Sequence, residues 1–264
     1  MDTRALKRGG QVLAPSLFTV GNMACGFYAL MAAHRCEFAP AATAIIMGMV
    51  FDALDGRVAR LVHGESTFGV EFDSLSDFLT FGIAPAHMMY AFILKDYGVW
   101  GYPMAFLFAL CGGLRLARFN AIAHDHPEGG SKTHFMGLPI PGGAGFLAAF
   151  VLLYQIIEEG RPARTWKLLM DQIPSLYGLA PVMVVCVALL MISTIPYPAF
   201  KQQSATHPRS PWRLIGVLAF LALLFAYPQN VIFLLFFTYV LLGPVSLVLR
   251  LVMPRRPVSD SPPR

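Results

Sequence analysis

Charge is scarce in this chain. Asp, Glu, Lys and Arg make up 13% of its 264 residues, against about 25% in an average soluble domain. With 56% hydrophobic residues and a mean hydropathy of +0.59, that scarcity argues against an ordinary soluble fold and for a membrane protein. Cysteine is sparse too. Cys25, Cys36, Cys111 and Cys186 are scattered, with no CxxC pair and no metal-ligand spacing. They read as small buried apolar residues rather than as a disulfide framework. Internal repeats and a separate soluble domain are both lacking. The positive excess is small, a net +5 with a pI near 9.1. It needs no nucleic acid, since Lys and Arg facing anionic headgroups account for it.

Long apolar runs are what the chain has instead. A helix crosses a bilayer core with roughly 20 residues, and runs of that order fall at 13–33, 38–61, 69–94, 99–123, 137–157, 174–194, 212–227 and 229–251. Pro228 marks the split between the last two. Barrel strands would be shorter and alternating, so these spans are helices. The first run continues directly into the second and reads as a span, not a cleaved leader. The expected fold is all-α: a polytopic helical bundle with about eight transmembrane helices. Residues 1–12 form a basic lead-in, 13–251 a single membrane-embedded domain with its core at 13–157, and 252–264 a proline-rich disordered tail.

Basic residues flank alternate ends of the spans. Arg4, Lys7 and Arg8 precede the first, Arg57 and Arg60 end the second, and Arg115, Arg118 and Lys132 lie about the end of the fourth. Lys201, Arg209 and Arg213 follow the sixth, and Arg250, Arg255 and Arg256 close the last. Other loops are poorer in basic residues, except 158–173, where Arg161, Arg164 and Lys167 stand beside Glu158, Glu159 and Asp171. The positive-inside rule then puts both termini in the cytoplasm. His63, His124, His126 and His134 fall in cytoplasmic loops, without metal-site spacing on a common helix face, and read as solvated.

Against that apolar background, Asp52, Asp55, Asp73 and Asp77 stand out. A carboxylate at the bilayer centre costs roughly 2.5–3.5 kcal/mol even on a lenient scale. Four could cost on the order of 10 kcal/mol, comparable to a whole domain's stability. Asp52 and Asp55 are i and i+3 on one helix, and Asp73 and Asp77 are i and i+4 on the next, so each pair shares a face. The pairs mirror each other about Gly64. An antiparallel hairpin turning there brings Asp55 beside Asp73 and Asp52 beside Asp77, the inner pair some two to three helical turns from the turn itself. Oxygen-only ligands select hard cations, Mg²⁺ or Mn²⁺ with Ca²⁺ as a third candidate, and four carboxylates suffice for two ions that clamp a phosphate. A single intramembrane Asp would serve helix packing or a proton relay equally well. Four converging across one turn favour metal. A cation transporter remains a competing class, but transporters tend to carry repeats and broken helices, and the later spans offer no counterpart to these acids.

The full pattern, Asp52-x-x-Asp55-Gly56-x-x-Ala59-Arg60, eight residues, then Gly69-x-x-x-Asp73-x-x-x-Asp77, resembles the signature of the CDP-alcohol phosphotransferase family at every defining position. The resemblance implies that the four aspartates bind the metal pair and that Asp77 doubles as general base. It also implies that Gly56, Arg60 and Ser66 contact the CDP portion of the donor. Gly56 lies one turn beyond Asp52, where a missing side chain admits a nucleotide or a packed helix. Arg60, another turn on, can fork onto a pyrophosphate or snorkel to the interface.

The choice of acceptor rests on further runs: Glu71 two residues before Asp73, Phe81-Gly82-Ile83-Ala84-Pro85, Arg115-Leu116-Ala117-Arg118-Phe119-Asn120, Phe135-x-Gly137-Leu138-Pro139-Ile140-Pro141 and Thr19-Val20-Gly21-Asn22. These resemble the phosphatidylserine synthase branch of the family. That implies transfer of a phosphatidyl group from CDP-diacylglycerol to L-serine, with glycerol 3-phosphate, an inositol phosphate or choline as alternative acceptors. It further implies a homodimer in the cell membrane with a cytoplasmic active site. Serine is a zwitterion, so Glu71 would meet its ammonium and Arg115 or Arg118 its carboxylate. Ordinary membrane anchoring accounts for the two arginines equally well. Asn22 could hydrogen-bond the cytosine or a neighbouring helix.

Overall fold

The structure, a computed structural model, describes residues 3–62, 67–125, 134–158, 173–198 and 211–252. Helix α1 (Thr3–His34) runs without a break through the lead-in expected at 1–12. It ends where Cys36 takes φ 60. There Cys36 N–H donates to Ala33 O at 3.0 Å and Glu37 N–H to Ala32 O at 2.9 Å, the paired bonds that close a helix on a left-handed residue. Helix α2 (Phe38–Val62) then returns along α1, which it packs against more extensively than any other pair of elements.

Helix α3 (Thr67–Asp77), a π-helical turn (Phe78–Ile83) and α4 (Ala84–Phe92) together fill the third expected span. A 3₁₀ segment (Leu94–Trp100), kinked at Tyr97 and Gly98, leads into α5 (Gly101–Asp125). Next come α6 (Ile140–Glu158), α7 (Ile173–Ile192), α8 (Pro211–Ala226) and α9 (Pro228–Val252). Prolines open both α8 and α9, at the position where a missing N–H costs nothing, and Pro228 divides them as expected.

Helix α6 is the hub. Every residue from Gly142 to Val151 is buried, and it packs against α2, α7, α9 and the π turn. Its run Gly142-Gly143-Ala144-Gly145 gives the close approach that membrane helices need: Tyr239, Val187 and Phe236 lie directly over the three glycines. Phe81, Met88, Met89, Phe108, Leu147 and Phe150 complete the interior, while Leu17, Phe27, Tyr102, Val182, Leu218 and Phe225 face outward.

An outer surface of this kind belongs in lipid. Among the described residues, three helices are long and apolar enough to cross a membrane, Phe38–Val58, Leu94–Ile122 and Pro228–Leu249, with shorter apolar helices at Ile140–Gln155 and Gly178–Ile192. α3 lacks that apolarity because Glu71, Asp73 and Asp77 fall within its eleven residues.

The one departure from all-α among the described residues is a small antiparallel pair, β1 (His134–Met136) with β2 (Pro196–Pro198), in register His134↔Pro198, Phe135↔Tyr197 and Met136↔Pro196. Prolines on both sides of Tyr197 hold the backbone extended. Gly137, at φ +80, follows β1 so closely that a Cβ would strike Met191 O. The four cysteines are free. Gly64, the loop at 158–173 beyond Glu158, Lys201, Arg209 and the tail from 253 lie outside the described residues.

Candidate active site

Asp52 and Asp55 project from one face of α2, and Asp73 and Asp77 from the facing side of α3. Carboxylate oxygens of Asp52, Asp73 and Asp77 all lie within 4.8 Å of one another, the one such group of potential metal ligands among the described residues. Asp55, only 6% exposed, is adjacent to Asp73. Both pairings expected from the hairpin, Asp55 with Asp73 and Asp52 with Asp77, are therefore brought together.

Helix α1 holds this cluster from a third side. Thr19 Oγ1 donates to Asp55 Oδ2, and Asn22 Nδ2 donates to Asp77 Oδ1 at 2.9 Å. In return Ser76 Oγ donates to Thr19 O at 3.1 Å and Thr80 Oγ1 to Asn22 O at 2.9 Å. Thr80 fits because Gly26 on α1 and Gly48 on α2 leave room: a Cβ on Gly48 would stand 2.6 Å from Thr80 Cγ2, and one on Gly26 would strike Thr80's hydroxyl. The π turn begins immediately after Asp77. Its wider winding offsets the α3 face that carries the acids from the α4 face that carries Ala84 and Met88 into the core.

Two full negative charges 4.8 Å apart repel by about 3 kcal/mol at an effective dielectric near 20. Asp55 Oδ1 and Asp73 Oδ1 are buried without any protein partner. Orphaned carboxylate oxygens within a cluster of like charges fit a divalent cation, which supplies both the missing charge and the missing contacts. Arg115 on α5 is the basic neighbour of Asp77.

The remaining expected residues distribute unevenly. Gly56 is exposed, and a Cβ there would meet nothing within 4 Å. It opens onto free space, so close helix packing is not its purpose. Arg60 sits on the last turns of α2, and Ser66 lies outside the described residues, as do His63 and His126. The side chain of Glu71 is exposed, because two residues before Asp73 is about 200° around the helix. Asn22 is fully buried, with its amide nitrogen donating to Asp77 and its amide oxygen without a hydrogen-bond partner. Arg118 Nη2 contacts Met136 Sδ at 2.9 Å, and Arg115 Nε is buried without a partner. One turn on, Asn120 Nδ2 donates to Ser74 Oγ at 3.0 Å and ties α5 to α3.

Thr19, Ser76 and Thr80 have functions that the sequence reading missed. Their signal was available: hydroxyls at i and i+4 inside an apolar helix, facing glycines on its neighbours, mark a helix contact.

Against known proteins, the model of the CDP-alcohol phosphatidyltransferase family matches residues 12–192. A Helicobacter pylori protein named CDP-diacylglycerol–serine O-phosphatidyltransferase is 33% identical over 237 residues, 88% of this chain and 89% of its own length. Proteins with that name from Bacillus subtilis and Methanocaldococcus jannaschii are 29% and 35% identical, covering 74% and 60% of this chain and 96% and 64% of their own.

Proposed function

The chain belongs to the CDP-alcohol phosphatidyltransferase family, and from that premise we propose that it makes phosphatidylserine and CMP from CDP-diacylglycerol and L-serine. The observation that carries this reading is the meeting of Asp52 from α2 with Asp73 and Asp77 from α3 within 4.8 Å. Relatives of this chain that bear the serine transferase name support the choice of acceptor.

In this reading Asp52, Asp55, Asp73 and Asp77 hold two divalent cations, Mg²⁺ or Mn²⁺ before Ca²⁺. Bound there, the cations supply positive charge to the donor's pyrophosphate and to the oxygens that gain charge in the transition state. Gly56 leaves room for the nucleotide, and Arg60 and Ser66 bind the CDP phosphates. Asp77 accepts the proton of the serine hydroxyl. The hydrogen bond from Asn22 to Oδ1 fixes the plane of that carboxylate as it does so. The serine oxygen bonds to the phosphorus bearing diacylglycerol as the bond from that phosphorus to CMP breaks. Arg115 and Arg118 meet the serine carboxylate.

The same reading places eight spans, both termini and the active site in keeping with the basic flanks: a homodimer in the cell membrane, acting at its cytoplasmic face. The test is direct. The purified protein, given CDP-diacylglycerol, Mn²⁺ or Mg²⁺ and one alcohol at a time, should release CMP with L-serine. Release with glycerol 3-phosphate and none with serine would overturn the acceptor assignment and leave the family chemistry standing.

A further inference from the structure

Helix α9 begins 36 residues after the family match ends at 192, and its sequence is almost wholly apolar. Its placement is nevertheless tightly specified. The Tyr239 ring lies over Gly142 of α6, where a Cβ would stand 2.9 Å from Cε1, and its centroid is 5.7 Å from that of Tyr197 on β2. Tyr197 is fully buried, donates its hydroxyl to Val240 O at 3.0 Å and fills the space that any side chain at Gly243 would need. β2 in turn pairs with β1, whose Met136 touches Arg118. Tyr197 thus fixes the register of α9 against the end of the bundle where α5 carries its two arginines.

Tyr239 and Arg115 are electrostatic neighbours. The guanidinium of Arg115 has Asp77 on the catalytic side and Tyr239 on the α9 side within electrostatic range. Its Nε–H is buried and makes no hydrogen bond within the protein. Buried donors are nearly always satisfied, so this one marks a place for an acceptor group that the protein does not itself provide. A carboxylate answers that need, because it can accept from a guanidinium N–H and from a phenol O–H at once.

We propose that Tyr239 is a specificity-determining residue, whose phenol joins the Arg115 Nε–H in recognising the carboxylate of an amino-acid acceptor, and that Tyr197 is the positioning residue that keeps it there. The inference rests on the reading above, in which Arg115 meets the acceptor. It gives α9 a function that its composition hides: the segment beyond the shared family region closes the acceptor side of the site.

The experiment uses the full-length enzyme and CMP release, with KM measured separately for L-serine and CDP-diacylglycerol. Tyr239→Phe removes only a hydroxyl. It should raise KM for serine about tenfold, the loss expected for one hydrogen bond to a charged group, and leave KM for the donor and kcat at saturating serine within about twofold. Tyr197→Phe, which frees α9 without touching the site, should shift KM for serine in the same direction by a smaller factor. Ethanolamine, which lacks the carboxylate, should inhibit wild type and Tyr239→Phe equally. An unchanged KM for serine in Tyr239→Phe, while Arg115→Lys raises it, overturns the role of Tyr239 alone. If Arg115→Lys also leaves KM for serine unchanged, the reading of the acceptor site itself fails.

Discussion

Asn22 and Asp77 are 55 residues apart in sequence, yet the Asn22 amide donates to Asp77 Oδ1 at 2.9 Å inside the bundle. One carboxylate oxygen is thereby fixed, and the plane of the group with it. A base that must meet a hydroxyl proton works only if its free oxygen is held in reach, and a neutral amide does this without adding charge beside three other acids. Helix α1 carries no acid of the cluster, but it sets the orientation of both acids it touches, Asp55 through Thr19 and Asp77 through Asn22.

Replacing Asn22 by Ala should therefore lower kcat by about 10- to 100-fold, the loss usual when an outer hydrogen-bonding partner is removed, with KM for CDP-diacylglycerol nearly unchanged. Steady-state CMP release separates the two parameters. A rise in donor KM at constant kcat would instead return Asn22 to the nucleotide.

The acids themselves differ in what their loss should do. Asp77→Asn keeps the size and the hydrogen bond to Asn22 but removes the proposed base, so on that proposal kcat should fall by about 10²- to 10⁴-fold at any cation concentration. Asp52→Asn should shift the Mn²⁺ dependence of CMP release to higher concentration, with much of the rate regained at saturation. Chelation should silence the wild type, and Mg²⁺ or Mn²⁺ should restore it. Full activity after exhaustive chelation would sink the metal assignment.

How much of this was legible beforehand follows from the range of each interaction. The acid pairs were readable because helical spacing is local: i, i+3 and i+4 decide which residues share a face. Their pairing across the two helices could be read by symmetry about one turn. Glu71 is close to Asp73 in sequence but nearly opposite on the helix, which is why it is exposed while the acids are not. The partner of Asn22 lay beyond reach, since nothing in the text at residue 22 points to residue 77. Tyr197 and Tyr239 were hidden for a different reason: a tyrosine in an apolar run looks the same whether it packs against lipid, a glycine or an arginine. The β1–β2 pair escaped because three-residue strands carry no periodicity to read.

Thr80 gives a stability prediction independent of catalysis. Gly26→Ala places a methyl group against the Thr80 backbone at 2.8 Å, contact that α1 can relieve only by moving off the α3–π-turn segment. Overpacking of this kind costs about 1–3 kcal/mol, visible as a lower melting temperature of the detergent-solubilised protein. Thr80→Ser should not rescue it, since serine keeps the atoms that clash; it should instead recover part of the loss caused by Gly48→Ala, whose methyl group would stand 2.6 Å from Thr80 Cγ2, while keeping a hydroxyl to donate to Asn22 O.

Gly56 offers the sharpest separation of stability from function, because the two should move in opposite directions. It lies inside α2, where glycine is about 1 kcal/mol worse than alanine as a helix former, and a methyl group there would meet no protein atom within 4 Å. Gly56→Ala should consequently leave the melting temperature unchanged or raise it slightly. If the open space is where the nucleotide approaches the backbone, the same methyl group must obstruct the donor. KM for CDP-diacylglycerol should then rise about tenfold, equivalent to about 1.4 kcal/mol of lost binding, while KM for serine stays put. A variant as active as wild type at low donor concentration would show that the glycine is merely tolerated on an exposed face, and that the CDP portion binds elsewhere on the hairpin.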